Sequence, residues 1–222
     1  LFFYPMLALI KNRDKVPPER LNKLYEIFVQ EMTNLSFGQA MDIAWHRNMV
    51  SHDITEEQYL QMCMYKTGTL ARMAAKMAAV LAGASDEVIE KMGRFAESIG
   101  VAFQIQDDIL DIVGAEFARG KGGLGMDITE GKRSLMVIHT LRRANPEDKK
   151  RLLKILDMHT RDENLRMEAI NIIKKYGSVE YAKKTAEKLM HESLSEVNRL
   201  LSPSKAKEML LALADYLIKR KI

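Results

Sequence analysis

Between Phe103 and Gly114 the chain reads FQIQDDILDIVG, with Asp107, Asp108 and Asp111 set among Ile105, Ile109, Leu110, Ile112 and Val113. Carboxylates seldom enter such apolar runs unless they are paired or hold a metal. At roughly 100° per residue on an α-helix, the three aspartates fall within about 60° of Gln104, on one stripe. Ile105, Ile109 and Ile112 face away from it, and Gly100, one turn earlier, would leave room beside it. Three like charges so close require a cation among them. A solvated acidic face with lysine partners meets that requirement, and so does a Mg²⁺ site. Magnesium takes oxygen ligands and is usually held by one or two carboxylates plus substrate phosphates, so the second arrangement implies a phosphorylated ligand.

The stretch that follows, GKGGLGMDITEGKRS, sets Lys121, Lys132 and Arg133 among glycines. Small residues let backbone amides approach a phosphate, and lysine adds a point charge. It is not a Walker A loop, because the fixed Gly-x-x-x-x-Gly-Lys-Ser/Thr order after a strand is missing. Two more polar pairs interrupt apolar helical runs. Gln39 and Asp42 in FGQAMDIAW are three residues apart and share a helix face. Lys66 and Thr67 sit in MYKTGTL. Taken singly, these read equally as a satisfied amide and a snorkelling lysine. Trp45 and His46 read as packing or surface residues.

The elements that must position these groups are helical throughout, with no alternating strand pattern and no hairpin signal. Pro17 and Pro18 precede a helix over about Glu19–Arg47. A capping box of Thr55 and Gln58 opens one reaching about Gly83, and Ser85 caps a long one to Val113. The span Gly114–Gly131 carries six of the chain's 12 glycines and reads as a loop. Helices follow over Lys132–Arg143, Pro146–Met158, Glu163–Tyr176, Val179–Leu201 and Pro203–Lys219. The expected fold is one all-α bundle with long central helices.

With 222 residues, 47% hydrophobic and 29% charged, the chain can bury one sizeable core. Charges break every long apolar run, which argues against a membrane anchor. The start, LFFYPMLALIKNRDK, lacks the basic first segment and cleavage site of a secretory signal. A net charge of +4, spread along the chain, does not indicate nucleic-acid binding. The single cysteine, Cys63, permits no internal disulfide, suits a reducing cytoplasm and reads as a packed thiol. The 15 methionines read as gap fillers between helices.

In order and approximate spacing, FGQAMDIAW, YKTG, FQIQDDILDIVG and GKGGLGMDITEGKRS resemble the trans-type polyprenyl diphosphate synthases, among them the farnesyl and geranylgeranyl diphosphate synthases. The likeness runs from near Leu1 to the C-terminal IKRKI, and GQAMDIAWHRN looks most like the geranylgeranyl branch. The resemblance implies an isoprenoid-synthase-type helical bundle around a deep central cavity, a cytoplasmic homodimer, and Mg²⁺-dependent joining of isopentenyl diphosphate to an allylic diphosphate. By the same resemblance, Asp107, Asp108 and Asp111 are the second aspartate-rich motif and hold Mg²⁺ against the allylic diphosphate. Lys66, Lys121 and Lys132 would contact that diphosphate, with Thr67 and Gln104 near the developing allylic cation. Gln39 and Asp42 would line the same cavity and support the metals through water.

Two departures stand out. The segment GGLGM between Lys121 and Asp127 is one residue longer than the family's usual spacing. The first aspartate-rich motif, with its arginine pair, does not occur, and Arg142-Arg143 is no substitute. Residues 1–222 are therefore expected to be a single domain forming the distal portion of such an enzyme, lacking N-terminal helices. A non-catalytic subunit that modulates an active partner, and a terpene cyclase or head-to-head condensing enzyme, are the competing readings.

Overall fold

The computed structural model describes residues 3–47, 49, 53–114 and 123–219. Those residues form helices and connections, with no strand among them. A short α1 (Met6–Lys11) and a 3₁₀ turn over Arg13–Lys15, neither marked by a strong sequence signal, precede α2 (Pro18–His46). Proline suits the first turn of α2, because its missing N–H would have no helical partner there. Thr55 and Gln58 form the reciprocal capping box, with Gln58 N donating to Thr55 Oγ1 at 3.2 Å and Thr55 N to Gln58 Oε1 at 2.8 Å.

The helix expected from there to Gly83 is not continuous. It is α3 (Glu56–Cys63), then a π-helical turn over Met64–Gly68, then α4 (Thr69–Leu81). That turn contains the Lys66-Thr67 pair. Such π-bulges are rare and frequently mark functional sites.

Next comes α5 (Asp86–Val113), N-capped by Ser85. A four-residue α6 (Met126–Thr129) lies within the span expected to be only loop. The helix expected from Lys132 begins later, as α7 (Leu135–Arg143) with Ser134 as its cap, so Lys132 lies outside it. The chain continues as α8 (Pro146–Asp157), α9 (Glu163–Lys175), α10 (Ser178–Leu200) and α11 (Lys205–Lys219). Gly177, with φ 67°, takes the left-handed conformation that starts α10.

Helix α5 is the spine, packed between α4 and α10 and against the π-turn. Its apolar stripe, including Ile105, Ile109 and Ile112, joins Leu135 and Met136 of α7, Leu152 and Ile155 of α8, and Ile170 and Ile173 of α9 in the main core. Leu24, Val80 and Ile89 form a smaller cluster where α2, α4 and α5 meet. Methionines do fill gaps, with Met62, Met136 and Met190 buried in the main core.

Gly100 does not leave an open space beside the polar stripe. A Cβ there would lie 2.8 Å from Gly68 Cα, and one on Gly38 would lie 2.3 Å from Lys66 N. The two glycines let α2 and α5 close on the π-turn from both sides. Because the opposing atoms are backbone, they cannot swing aside. Gly38→Ala is expected to destabilise the fold by about 1–3 kcal/mol, the usual cost of overpacking, as read by urea unfolding. An alanine variant as stable as the parent would show that the π-turn yields freely.

Candidate active site

The π-turn carries Lys66 and Thr67, each paired with a side chain of a neighbouring helix. Lys66 Nζ hydrogen-bonds Asp42 Oδ2, reaching from the turn to a carboxylate buried on α2. A snorkelling lysine would instead run out to solvent. His46, expected to be a packing or surface residue, stands with Nε2 3.1 Å from Asp42 Oδ1, a Coulomb contact not aligned as a hydrogen bond. Trp45 is buried, as a packing residue would be. Gln39 shares the helix but not the environment of Asp42, and is exposed.

Burial alone would raise the pKa of Asp42, but His46 and Lys66 outweigh it and bring the carboxyl down to about 2. A folded-state value below the unfolded 3.8 stabilises the fold above about pH 4, and that contribution is lost as pH falls towards 2. At about 1.4 kcal/mol per unit, roughly 2 kcal/mol is at stake. Denaturant titrations between pH 5 and pH 2 are expected to lose that increment in the parent and not in Asp42→Asn.

The second pair, on the far side of the turn, begins a continuous chain of hydrogen bonds. Thr67 Oγ1 donates to Gln104 Oε1 at 2.8 Å, and Gln104 Nε2 donates to Asp108 Oδ1 at 2.9 Å. Lys132 Nζ donates to Asp108 Oδ1 at 2.7 Å and to Asp127 Oδ2 at 2.9 Å. Tyr59 closes the group from α3, its hydroxyl donating to Asp108 Oδ2 at 2.9 Å.

The three aspartates of the motif have different surroundings. Asp108 is 2% exposed, with both oxygens engaged by protein donors. Asp111 is 5% exposed and accepts the backbone N–H groups of Met126 and Asp127, both at 3.1 Å, so it fastens the start of α6 to α5. Asp107 is half-buried and lies nearest solvent.

Asp127, which the sequence did not single out, completes the acidic group. Burial, then the charges of Asp108 and Asp111, push its carboxyl up to about 7 against the pull of Lys132. Burial also raises Asp111, opposed by the backbone amide of Asp127. Burial works against the charge on Lys132, but Asp108 and Asp127 outweigh it and hold the ammonium firmly protonated. Tyr59 and Asp127 were missed for the same reason: neither carries a signal until the fold brings it to Asp108 and Lys132.

Arg133, set beside Lys132 in the glycine-rich stretch, is engaged by the protein itself. Its guanidinium is buried, donating to Gly131 O at 2.7 Å and to Asp157 Oδ1 at 2.8 Å. Lys121 lies outside the described residues. Cys63 is buried beside Tyr59, and burial pushes its thiol pKa up, as an inert packed cysteine requires.

Beyond the π-turn, Arg72 on α4 bridges two further helices. Its Nε donates to Glu31 Oε1 of α2 at 2.8 Å, and Nη1 pairs with Glu97 of α5.

Among the described residues, no three His, Cys, Asp or Glu side chains converge as a ready metal shell. Magnesium does not need one, since one or two carboxylates with water and phosphate suffice. The donor set fits that ion. It consists of hard carboxylate oxygens, and Asp108, Asp111 and Asp127 outnumber the one ammonium, Lys132, placed among them. The open cleft of about 760 Å³ lined by Lys91, His191 and Arg199 lies elsewhere. Lys91 is 17 residues before Asp108 on α5, about 25 Å along the helix.

Comparison with known proteins places the chain in a family. The family described as "Polyprenyl synthetase" matches residues 2–173. A short chain isoprenyl diphosphate synthase of Methanothermobacter thermautotrophicus is 37% identical over 221 residues, 99% of this chain and 65% of that protein. A geranylgeranyl diphosphate synthase of Sulfolobus acidocaldarius is 35% identical over 93% of this chain and 61% of its own length. The crystal structure of a geranylgeranyl pyrophosphate synthetase from Pyrococcus horikoshii superposes with a TM-score of 0.83 at 33% identity, covering 92% of this chain and 61% of that one. The chain thus spans less than two thirds of the length of these relatives.

Proposed function

Since the chain belongs to the polyprenyl synthetase family, we propose that its protein condenses isopentenyl diphosphate with an allylic diphosphate to make a longer trans-polyprenyl diphosphate. The observation that carries this is the chain from Thr67 through Gln104 and Asp108 to Lys132 and Asp127. It sets excess carboxylate and a protonated lysine beside oriented neutral dipoles, within reach of a rare break in a helix.

In this reading, Lys66 and Lys132 share their ammonium protons between their carboxylates and the diphosphate of the allylic substrate, with Lys121 in the same role. Thr67 and Gln104 present oxygen dipoles to the carbon that becomes cationic, where preorganised dipoles stabilise charge at no reorganisation cost. Asp107, nearest solvent, with Asp108 and Asp111 behind it, would hold Mg²⁺; Asp42 would support it through water from the buried side of α2, and Gln39 from the exposed side. When bound, Mg²⁺ supplies charge neutralisation for the departing diphosphate. The reading includes a cytoplasmic homodimer whose seam would cover Val29, Phe37 and Ile43, exposed on α2; sedimentation of the natural protein tests the oligomer.

The deciding experiment incubates the natural full-length protein with Mg²⁺, isopentenyl diphosphate and each short allylic diphosphate, and analyses product chain length. Longer prenyl diphosphates are expected; their absence with every allylic partner would refute the proposal. In calorimetric titrations with an allylic diphosphate analogue and Mg²⁺, Lys66→Met is expected to lose about 1.5–3 kcal/mol of binding, the range of a charge-assisted contact. Asp107→Ala is expected to weaken the Mg²⁺-dependent part of the same binding. Parent-like affinity in both variants would remove these residues from the site.

A further inference from the structure

Tyr59 is fully buried on α3, and its hydroxyl meets a carboxylate 49 residues away in sequence. Phenylalanine would fill almost the same space in the core, so packing does not account for the oxygen. The reason lies in what Asp108 does. Its Oδ1 accepts from both Gln104 Nε2 and Lys132 Nζ, while Oδ2 accepts from Tyr59. The χ2 torsion of aspartate is broad, so a carboxylate held at one oxygen can swing. The phenol closes the other side. Once Asp108 is fixed, Gln104 must present Nε2 to it, which turns Oε1 to the Thr67 hydroxyl at 2.8 Å, next in sequence to Lys66.

We propose that Tyr59 is a positioning residue that locks Asp108 and thereby fixes the amide of Gln104 and the hydroxyl of Thr67 in the reacting orientation. Its kinetic consequence rests on the function proposed above; its geometric consequence does not.

Tyr59→Phe in the natural full-length protein tests it in two ways. In steady-state prenyl transfer with Mg²⁺, kcat is expected to fall roughly 10- to 100-fold, as a misplaced group costs, with little change in KM for the allylic diphosphate. In a Gln104→Ala background the same substitution is expected to have no further effect on kcat, because the two residues act through one relay. A purely structural tyrosine would lower the melting temperature and leave kcat intact, which would overturn the proposal. The second readout needs no turnover. In ¹⁵N-labelled protein, the Gln104 side-chain amide is expected to be protected from exchange in the parent and released in Tyr59→Phe. If the parent makes no prenyl diphosphate, the proposed function fails and the amide measurement alone decides the role of Tyr59. Should Tyr59→Phe not fold, the parent decides: its Tyr59 hydroxyl proton is expected to exchange slowly while it is held by Asp108, and a freely exchanging hydroxyl refutes the proposal.

Discussion

Lys132→Met is expected to destabilise the protein by about 3–5 kcal/mol, because it removes one partner from a buried charge group and leaves the others. The side chain of Lys132 is 11% exposed and contacts Asp108 at 2.7 Å and Asp127 at 2.9 Å. Methionine keeps most of the volume, so the loss is electrostatic and not a cavity effect. Asp127, already up to about 7, can respond by taking a proton. Asp108 keeps its bonds to Tyr59 and Gln104 but loses its cation. Two consequences distinguish this account from simple mispacking. The destabilisation is larger at pH 8 than at pH 5, since acid protonates Asp127 and relieves it. The double variant Lys132→Met/Asp108→Asn is more stable than Lys132→Met alone, because it strands one charge fewer. Urea unfolding at both pH values measures each, and a pH-independent loss with no rescue would refute the account.

Arg72→Met is expected to cost a comparable amount, again about 3–5 kcal/mol. Glu31 is 3% exposed, and the guanidinium that engages it with two nitrogens also pairs with Glu97. Enclosure is similar to that at Lys132, with side-chain exposures of 13% for Arg72 and 18% for Glu97 against 11% for Lys132 and 25% for Asp127, so solvent offsets part of the loss in both. A planar guanidinium fork suits two carboxylates on different helices, and Lys could not replace it equally. Glu97 also lies against the π-turn, since a Cβ on Gly68 would be 3.1 Å from its Cγ. Losing Arg72 therefore loosens the support of Lys66 and Thr67 as well as the joint of α2, α4 and α5. Arg72→Lys is expected to recover only part of the stability, and Glu97→Gln in the Arg72→Met background to recover some of the rest. Thermal and urea unfolding of the three variants test this, and full recovery by lysine would show that charge alone matters.

Features written in short-range spacing were legible from the sequence alone. The apolar stripe that makes α5 the spine, the capping box at Thr55 and Gln58, the Ser85 cap and the proline at the start of α2 each depend on residues within one turn of one another. So does the placing of Gln104 one turn from Asp108, where the two do bond. The π-turn was not legible, because MYKTGTL by itself suits an ordinary helix. What accompanies the extra residue is the closing of α2 at Gly38 and α5 at Gly100 onto the turn's backbone, from positions about 30 residues away on either side. The pairing of Lys66 with Asp42 spans 24 residues, that of Arg72 with Glu31 spans 41, and that of Tyr59 with Asp108 spans 49. Periodicity could place the carboxylates on one face, but not decide which of them face inward. That depended on the desolvation of Asp108, the backbone amides offered to Asp111 by α6, and the charge of Lys132. These terms exist only after distant segments have come together and excluded water, because a carboxylate's partners and its cost are set by its surroundings in space and not by its neighbours along the chain.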